Sequence, residues 1–265
     1  MYESHYGFKQ LPFTRSIEVK DLYEHQEFIE LKHRIKYAIQ NRLFAVITGP
    51  VGAGKTTVLR SIKAELNHTR YTYIYVSQSA LTPRIFYSEI LTQLGINAVY
   101  MKREAMIALN KAVMEMYNED RIPVIIVDEA HLLKDNMLEE IRFMINFNMD
   151  SMSPLSLILV GQTELKEKLK LKSMEAISQR ITVKFHLDGL TRPGTEDYIL
   201  THLKTAGVSN PLFTEEAINE IFQFTGGIPR KVNNICEKCL LDGYIQEKKL
   251  IDDILVKRVI KNECE

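Results

Sequence analysis

In the stretch Gly49-Pro50-Val51-Gly52-Ala53-Gly54-Lys55-Thr56, residue type and spacing together specify a chemistry. It fits G-x-x-x-x-G-K-[ST], where glycines let the backbone curl so that successive N–H groups hold phosphate oxygens. Lys55 is expected to reach the β- and γ-phosphates, and the Thr56 hydroxyl to ligate Mg²⁺. The expected nucleotide-binding segment runs from Gly49 through Thr57. The pattern carries meaning only between a strand and a helix. Both are present: Leu43-Phe44-Ala45-Val46-Ile47 precedes it and a helix-like segment, Thr57 to Leu66, follows. The helix starts at the phosphates, so its positive end faces the anion.

A second constellation is Pro123-Val124-Ile125-Ile126-Val127-Asp128-Glu129-Ala130-His131. A continuous apolar run implies a strand buried on both faces, and two carboxylates stand at its end, where α/β sheets place ligands. Asp128 is expected in the Mg²⁺ shell and Glu129 as the group that orients and polarises the attacking water. The letters Asp-Glu-Ala-His also occur in helicases, but those need two such domains and this chain has room for one. Leu155 to Val160 reads as a further strand ending at Gly161-Gln162. Gln162 is either a sensor beside the γ-phosphate or a cap for the next helix. Arg180, entering the run Ile181-Thr182-Val183-Lys184-Phe185, is either an arginine finger for a neighbouring subunit or a surface arginine in an ion pair.

These residues need a scaffold, and the periodicities supply one. Glu27 to Gln40 has apolar residues at helical spacing, Tyr71 to Val76 is rich in strand formers, and Pro83 opens a helix that Gly95 ends. Lys102 to Tyr117 reads as a helix with methionines as core filler. Asn136 to Asn148 reads as another. Leu187 to Pro193 is expected to be a linker. Beyond it helices are expected at 195–206, 214–225, 229–241 and 252–262, with Thr214 as a cap. Arg230 stands at the start of the third of these, placed to reach back to the nucleotide. Residues 1–26 are expected to lack regular structure and either pack on the domain or help to seat the adenine ring. The expected fold is α/β, a five-stranded parallel sheet between helices over 27–188, followed by a small all-α lid over 189–265.

The 265 residues suffice for one α/β domain and a smaller one. No apolar run approaches the roughly 20 residues that span a bilayer, and the N-terminus lacks a signal-peptide pattern. Three cysteines do not suggest a disulfide framework, so a reducing cytoplasmic setting is expected. Cys236 and Cys239, three apart on one helix, read as buried thiols rather than as a zinc site. Net charge is zero, so any nucleic-acid surface must be local. The basic candidates are Lys102 with Arg103, and the run Lys166, Lys168, Lys170 and Lys172.

The chain resembles AAA+ ATPases of the group that includes the secretion ATPase ExeA (GspA) and the transposition regulators TnsC, TniB and MuB. The likeness lies in Tyr6-Gly7-Phe8 with Pro12-Phe13, the phosphate loop, Asp128-Glu129-Ala130-His131 and Leu159-Val160-Gly161-Gln162. It continues in Ser178-Gln179-Arg180-Ile181, Leu187-Asp188-Gly189-Leu190-Thr191 and Gly227-Ile228-Pro229-Arg230. The resemblance implies a P-loop AAA+ fold with ATP and Mg²⁺, Gln162 as sensor 1, Arg180 as the arginine finger and Arg230 as sensor 2. It also implies self-assembly into a ring or helical filament. ExeA-type proteins carry a membrane segment and a peptidoglycan-binding part after the ATPase domain. This chain ends at Glu265 with neither, so it looks like a transposition helper that binds duplex DNA and recruits a transposase, without membrane insertion. The alternative is an ATPase that assists assembly of a secretion or pilus apparatus.

Overall fold

Five apolar runs rich in Val, Ile and Tyr form five strands, because branched side chains pack well on a pleated surface. The computed structural model describes residues 2–14, 17–77, 81–97 and 101–264. Met1, Arg15 and Ser16 of the opening segment, and Glu265, lie outside the described residues. The chain runs α1 (Tyr2–Tyr6), α2 (Gln26–Gln40), β1 (Phe44–Thr48), α3 (Lys55–Glu65), β2 (Tyr71–Val76), α4 (Pro83–Gln93), α5 (Lys102–Asn118) and β3 (Ile122–Val127). It continues through α6 (Asp135–Met144), β4 (Ser156–Val160), α7 (Thr163–Lys168), α8 (Glu175–Ser178), β5 (Val183–His186), α9 (Arg192–Thr205), α10 (Glu215–Thr225), α11 (Pro229–Ile245) and α12 (Asp253–Cys264).

All strand pairs are parallel, in the order β2-β3-β4-β1-β5. The three inner strands β3, β4 and β1 are buried at every position, as continuous apolar runs demand, whereas edge strand β5 is only half-buried. Pro123 is tolerated in β3 because it pairs with Thr72 of β2, one residue before the register with β4 begins at Val124. Ile125, Ile126, Leu159 and Val160 are fully buried. Truncating one such side chain to alanine costs about 2–5 kcal/mol.

By contacts the chain divides into two compact units. One is Glu27–Gly49 with Lys55–Leu187; the other is Met1–Gln26, Pro50–Gly54 and Asp188–Glu265. The first holds the sheet and its helices around one core. The second holds α9 to α12 around another, into which Tyr6, Phe8 and Phe13 are packed.

The structure departs from the sequence expectations at several places; α11, for one, runs to Ile245 rather than Leu241. The opening segment contains two short helical turns, α1 and a 3-10 turn at Val19–Asp21, and the Tyr6 hydroxyl meets the carbonyls of Leu240 at 3.1 Å and Lys248 at 3.2 Å. Helix α6 stops at Met144 rather than near Asn148: Phe147 is already extended at φ −104° and ψ 139°, and Asn148 and Met149 then turn left-handed, at φ 51° and 55°. Asparagine tolerates that region better than most residues. The linker ends early: Thr191 caps α9 by accepting from the Gly194 N–H at 3.2 Å, with Pro193 in the first turn. Elsewhere Thr82 and Thr214 cap α4 and α10.

Candidate nucleotide site

The sheet unit brings together residues far apart in sequence. β1 delivers Gly49, and α3 begins at Lys55. The Lys55 ammonium donates to the Gly49 carbonyl at 2.8 Å. β3 delivers Asp128, a carboxylate only 7% exposed. Its Oδ2 accepts from the Thr56 hydroxyl at 3.2 Å, which joins the start of α3 to the end of β3 across 72 residues. The same oxygen accepts from the Tyr75 hydroxyl of β2 at 2.5 Å, and Oδ1 accepts from the Glu129 N–H at 2.8 Å. A buried carboxylate needs such partners, since leaving it unsatisfied is costly. Burial and the bond to Asp128 both raise the Tyr75 phenol above its ordinary range, so it stays a donor. Burial and the Asp128 charge do the same to Tyr73.

Just past β3 the chain bends at Glu129, whose φ of 52° is left-handed. For a non-glycine residue that is strain of about 1–3 kcal/mol, of the kind that collects at functional sites. The bend leads into the short turn Ala130–Leu132 and brings His131 Nδ1 within 3.4 Å of Glu129 Oε2. The Gln162 N–H, at the end of β4, points to the same Nδ1 at 3.4 Å. Gln162 occupies the cap position of α7, yet its side chain makes no capping bond.

Arg180 stands before β5 and donates from Nη1 to the Arg142 carbonyl at 2.9 Å, at the carbonyl end of α6. Lys102 is tied to Glu140 at 2.5 Å, and the fully buried Tyr87 donates to the other Glu140 oxygen at 2.8 Å. Arg103 is exposed. In the lysine run, Lys168 reaches Asp135 and the Leu133 carbonyl, each at 2.7 Å, and Lys170 pairs with Glu167 at 2.9 Å. Lys166 and Lys172 are exposed.

In the second unit, Pro50–Gly54 lies against the start of α11. The Arg230 N–H donates to the Gly52 carbonyl at 3.3 Å, and a Cβ at Gly52 would lie 2.6 Å from that of Arg230. Only glycine fits there, and its φ of 85° asks for glycine as well. At Gly54, φ is 103° and an added Cβ would meet open space. Val51 is exposed and Ala53 is buried.

These residues fit a nucleotide with Mg²⁺. A carboxylate and a hydroxyl are hard oxygen ligands, and Mg²⁺ takes few protein ligands, completing its shell with phosphate and water. In sequence the glycine loop is followed directly by α3. Tyr75 and His131 are site residues that sequence reasoning did not single out. Cys236 and Cys239 are buried with their thiols pushed up by burial, Cys239 to about 12, as expected of inert thiols. No helix among the described residues is long and apolar enough to cross a membrane.

Residues 38–169 match the family described as "AAA domain". The chain is 30% identical over 249 residues to general secretion pathway protein A of Aeromonas hydrophila. That match covers 92% of this chain and 45% of the relative, so the chain spans less than half of that protein's length. Among solved structures, it is similar to that of Drosophila ORC bound to DNA, with a TM-score of 0.70 at 15% identity over 100% of this chain and 65% of that one. Cdc6p from Pyrobaculum aerophilum gives a TM-score of 0.67 at 16% identity, covering 94% and 68%. With its parallel sheet, glycine loop and Asp128-Glu129 pair, the chain carries an AAA domain in the P-loop AAA+ ATPase fold.

Proposed function

We propose that this chain hydrolyses ATP at the interfaces of an assembly of its own copies, and that the assembly acts on duplex DNA as the regulator of a transposase. The observation that carries the ATPase reading is the Thr56–Asp128 hydrogen bond at 3.2 Å, which sets a hydroxyl and a carboxylate side by side at the start of α3. Gly49 to Thr57 bind the phosphates through backbone N–H groups and the Lys55 ammonium. Thr56 and Asp128 hold Mg²⁺, which when bound offsets charge on the phosphate oxygens. Glu129 takes up a proton from the attacking water, and Gln162 orients the groups at the end of β4. Arg230 is positioned at the loop by its contact with Gly52. Arg180 exchanges the Arg142 carbonyl for a neighbour's phosphate, so that hydrolysis depends on assembly.

Two kinds of support bear on the partner. The resemblance of the motifs to those of transposition regulators, together with a fold similar to that of an ORC solved bound to DNA, favours duplex DNA. The identity to a general secretion pathway protein favours a second reading, in which the same ATPase assists assembly of a secretion apparatus. Imaging the protein with a slowly hydrolysed ATP analogue, with and without duplex DNA, tests the choice. Rings or filaments on DNA are expected. An assembly indifferent to DNA contradicts the DNA reading and leaves the secretion reading standing.

A further inference from the structure

We propose that His131 is a positioning residue that couples Glu129 to the end of β4, so that Glu129 is free or held according to which partner the imidazole takes. The inference rests on the reading of Glu129 as the group that activates water. One ring nitrogen faces two partners of opposite demand. Nδ1 lies 3.4 Å from Glu129 Oε2, a contact that needs a proton on Nδ1. It lies 3.4 Å from the Gln162 N, a contact that needs the Nδ1 lone pair. A single nitrogen satisfies one of these at a time.

The surroundings make the ring a fixed part of the sheet edge. The His131 side chain is 11% exposed, whereas Glu129 is 51% exposed. The imidazole is therefore enclosed by its neighbours, and the carboxylate stands open to solvent. Gly161 allows the close approach: a Cβ there would lie 3.1 Å from the His131 N and 2.8 Å from Leu165 Cδ2. The left-handed bend at Glu129 turns the chain so that His131 returns toward β4. With Nδ1 accepting from the Gln162 N–H, Glu129 is left free to take the proton of water. With Nδ1 carrying a proton, Glu129 is drawn to the ring. A small shift of the β4 end, where Gln162 stands, thus changes the orientation of Glu129 through one side chain.

The test is steady-state ATP hydrolysis by the full chain carrying Glu129→Gln, His131→Phe or His131→Asn, with affinity for a fluorescent ATP analogue and thermal unfolding measured on each. Phenylalanine fills the space and offers neither bond. Asparagine places an amide near the Nδ1 position and offers either one. The expected result is a kcat raised about 10-fold in H131F, the size of losing one charge-assisted bond that holds Glu129, with KM and analogue affinity unchanged and kcat brought back toward the unaltered value in H131N. A kcat lowered in H131F refutes the coupling. If E129Q is inactive but H131F turns over like the unaltered protein, the coupling is refuted and the ATPase reading stands. If H131F and H131N are equally slow and both lose analogue affinity or unfold early, His131 is merely structural and the coupling is refuted. If E129Q hydrolyses ATP at the unaltered rate, the role of Glu129 fails, and the coupling with it.

Discussion

The Tyr75 hydroxyl donates to Asp128 Oδ2 at 2.5 Å, and that oxygen also accepts from Thr56 at 3.2 Å. A strand tyrosine thus holds the carboxylate assigned to Mg²⁺. Tyr75→Phe removes this bond and leaves the ring. The Mg²⁺ concentration for half-maximal hydrolysis is expected to rise about 10- to 100-fold, as for other outer partners of metal ligands. A metal titration of the ATPase rate checks this. An unchanged Mg²⁺ response would mean that Thr56 and the Glu129 N–H suffice to orient Asp128.

Lys55→Ala removes the cation from the phosphate loop while leaving the strand and α3 in place. Charge-assisted contacts of this kind are worth about 1.5–3 kcal/mol each, so nucleotide affinity is expected to fall by at least roughly 10- to 100-fold. Equilibrium titration with a fluorescent ATP analogue measures it. Affinity within twofold of the unaltered protein would contradict the assignment of Lys55.

Lys102 and Arg103 are adjacent, but their surroundings separate them. Lys102→Met takes the ammonium from Glu140, which is 9% exposed, and leaves it the Tyr87 hydroxyl as a donor. A loss of about 1–2 kcal/mol in unfolding free energy is expected. Arg103→Ala is expected to leave stability unchanged and, if Arg103 contacts phosphate, to reduce the salt slope of DNA binding by about 1. A salt slope unaltered by R103A would remove that residue from the DNA surface.

His202 is buried between the rings of Phe13, stacked at 5.4 Å, and Tyr198 at 4.3 Å. Burial pushes its pKa down from 6.5 to about 4. The folded state therefore binds this proton less readily than the unfolded state. The penalty is absent above about pH 6.5 and grows as pH falls toward 4, reaching about 3 kcal/mol at most. Thermal unfolding followed between pH 7 and pH 5 is expected to show a downward slope that His202→Phe flattens. An identical slope in the variant would assign the acid sensitivity to other groups.

How far the sequence revealed this molecule depends on whether a residue's role is local. The place of Gly49 to Thr56 between β1 and α3, that of Asp128 at the end of β3, and the five strands themselves were readable because spacing and apolar runs are short-range signals. The Thr82 and Thr214 caps were open to the same kind of reading. Tyr75 was not singled out, because nothing in Tyr71 to Val76 says which hydroxyl meets a carboxylate 53 residues away. His131 was visible only as a letter of a motif; its role depends on β4 lying beside β3. The burial of Tyr6, Phe8 and Phe13 among α9 to α12 is likewise a tertiary fact. The early stop of α6 goes with the extended Phe147 and the left-handed Asn148 and Met149 after it, and an Asn alone is a weak signal for that.

The central claim is that Glu129 activates water at a site completed by a second copy of the chain. The most direct measurement is the ATPase rate per molecule across a range of protein concentrations, for the unaltered chain and for Glu129→Gln. The account predicts a specific activity that rises with concentration and then levels, and an E129Q variant that binds ATP but is slower by at least about 100-fold. A specific activity independent of concentration, or an E129Q variant as fast as the unaltered protein, would contradict it.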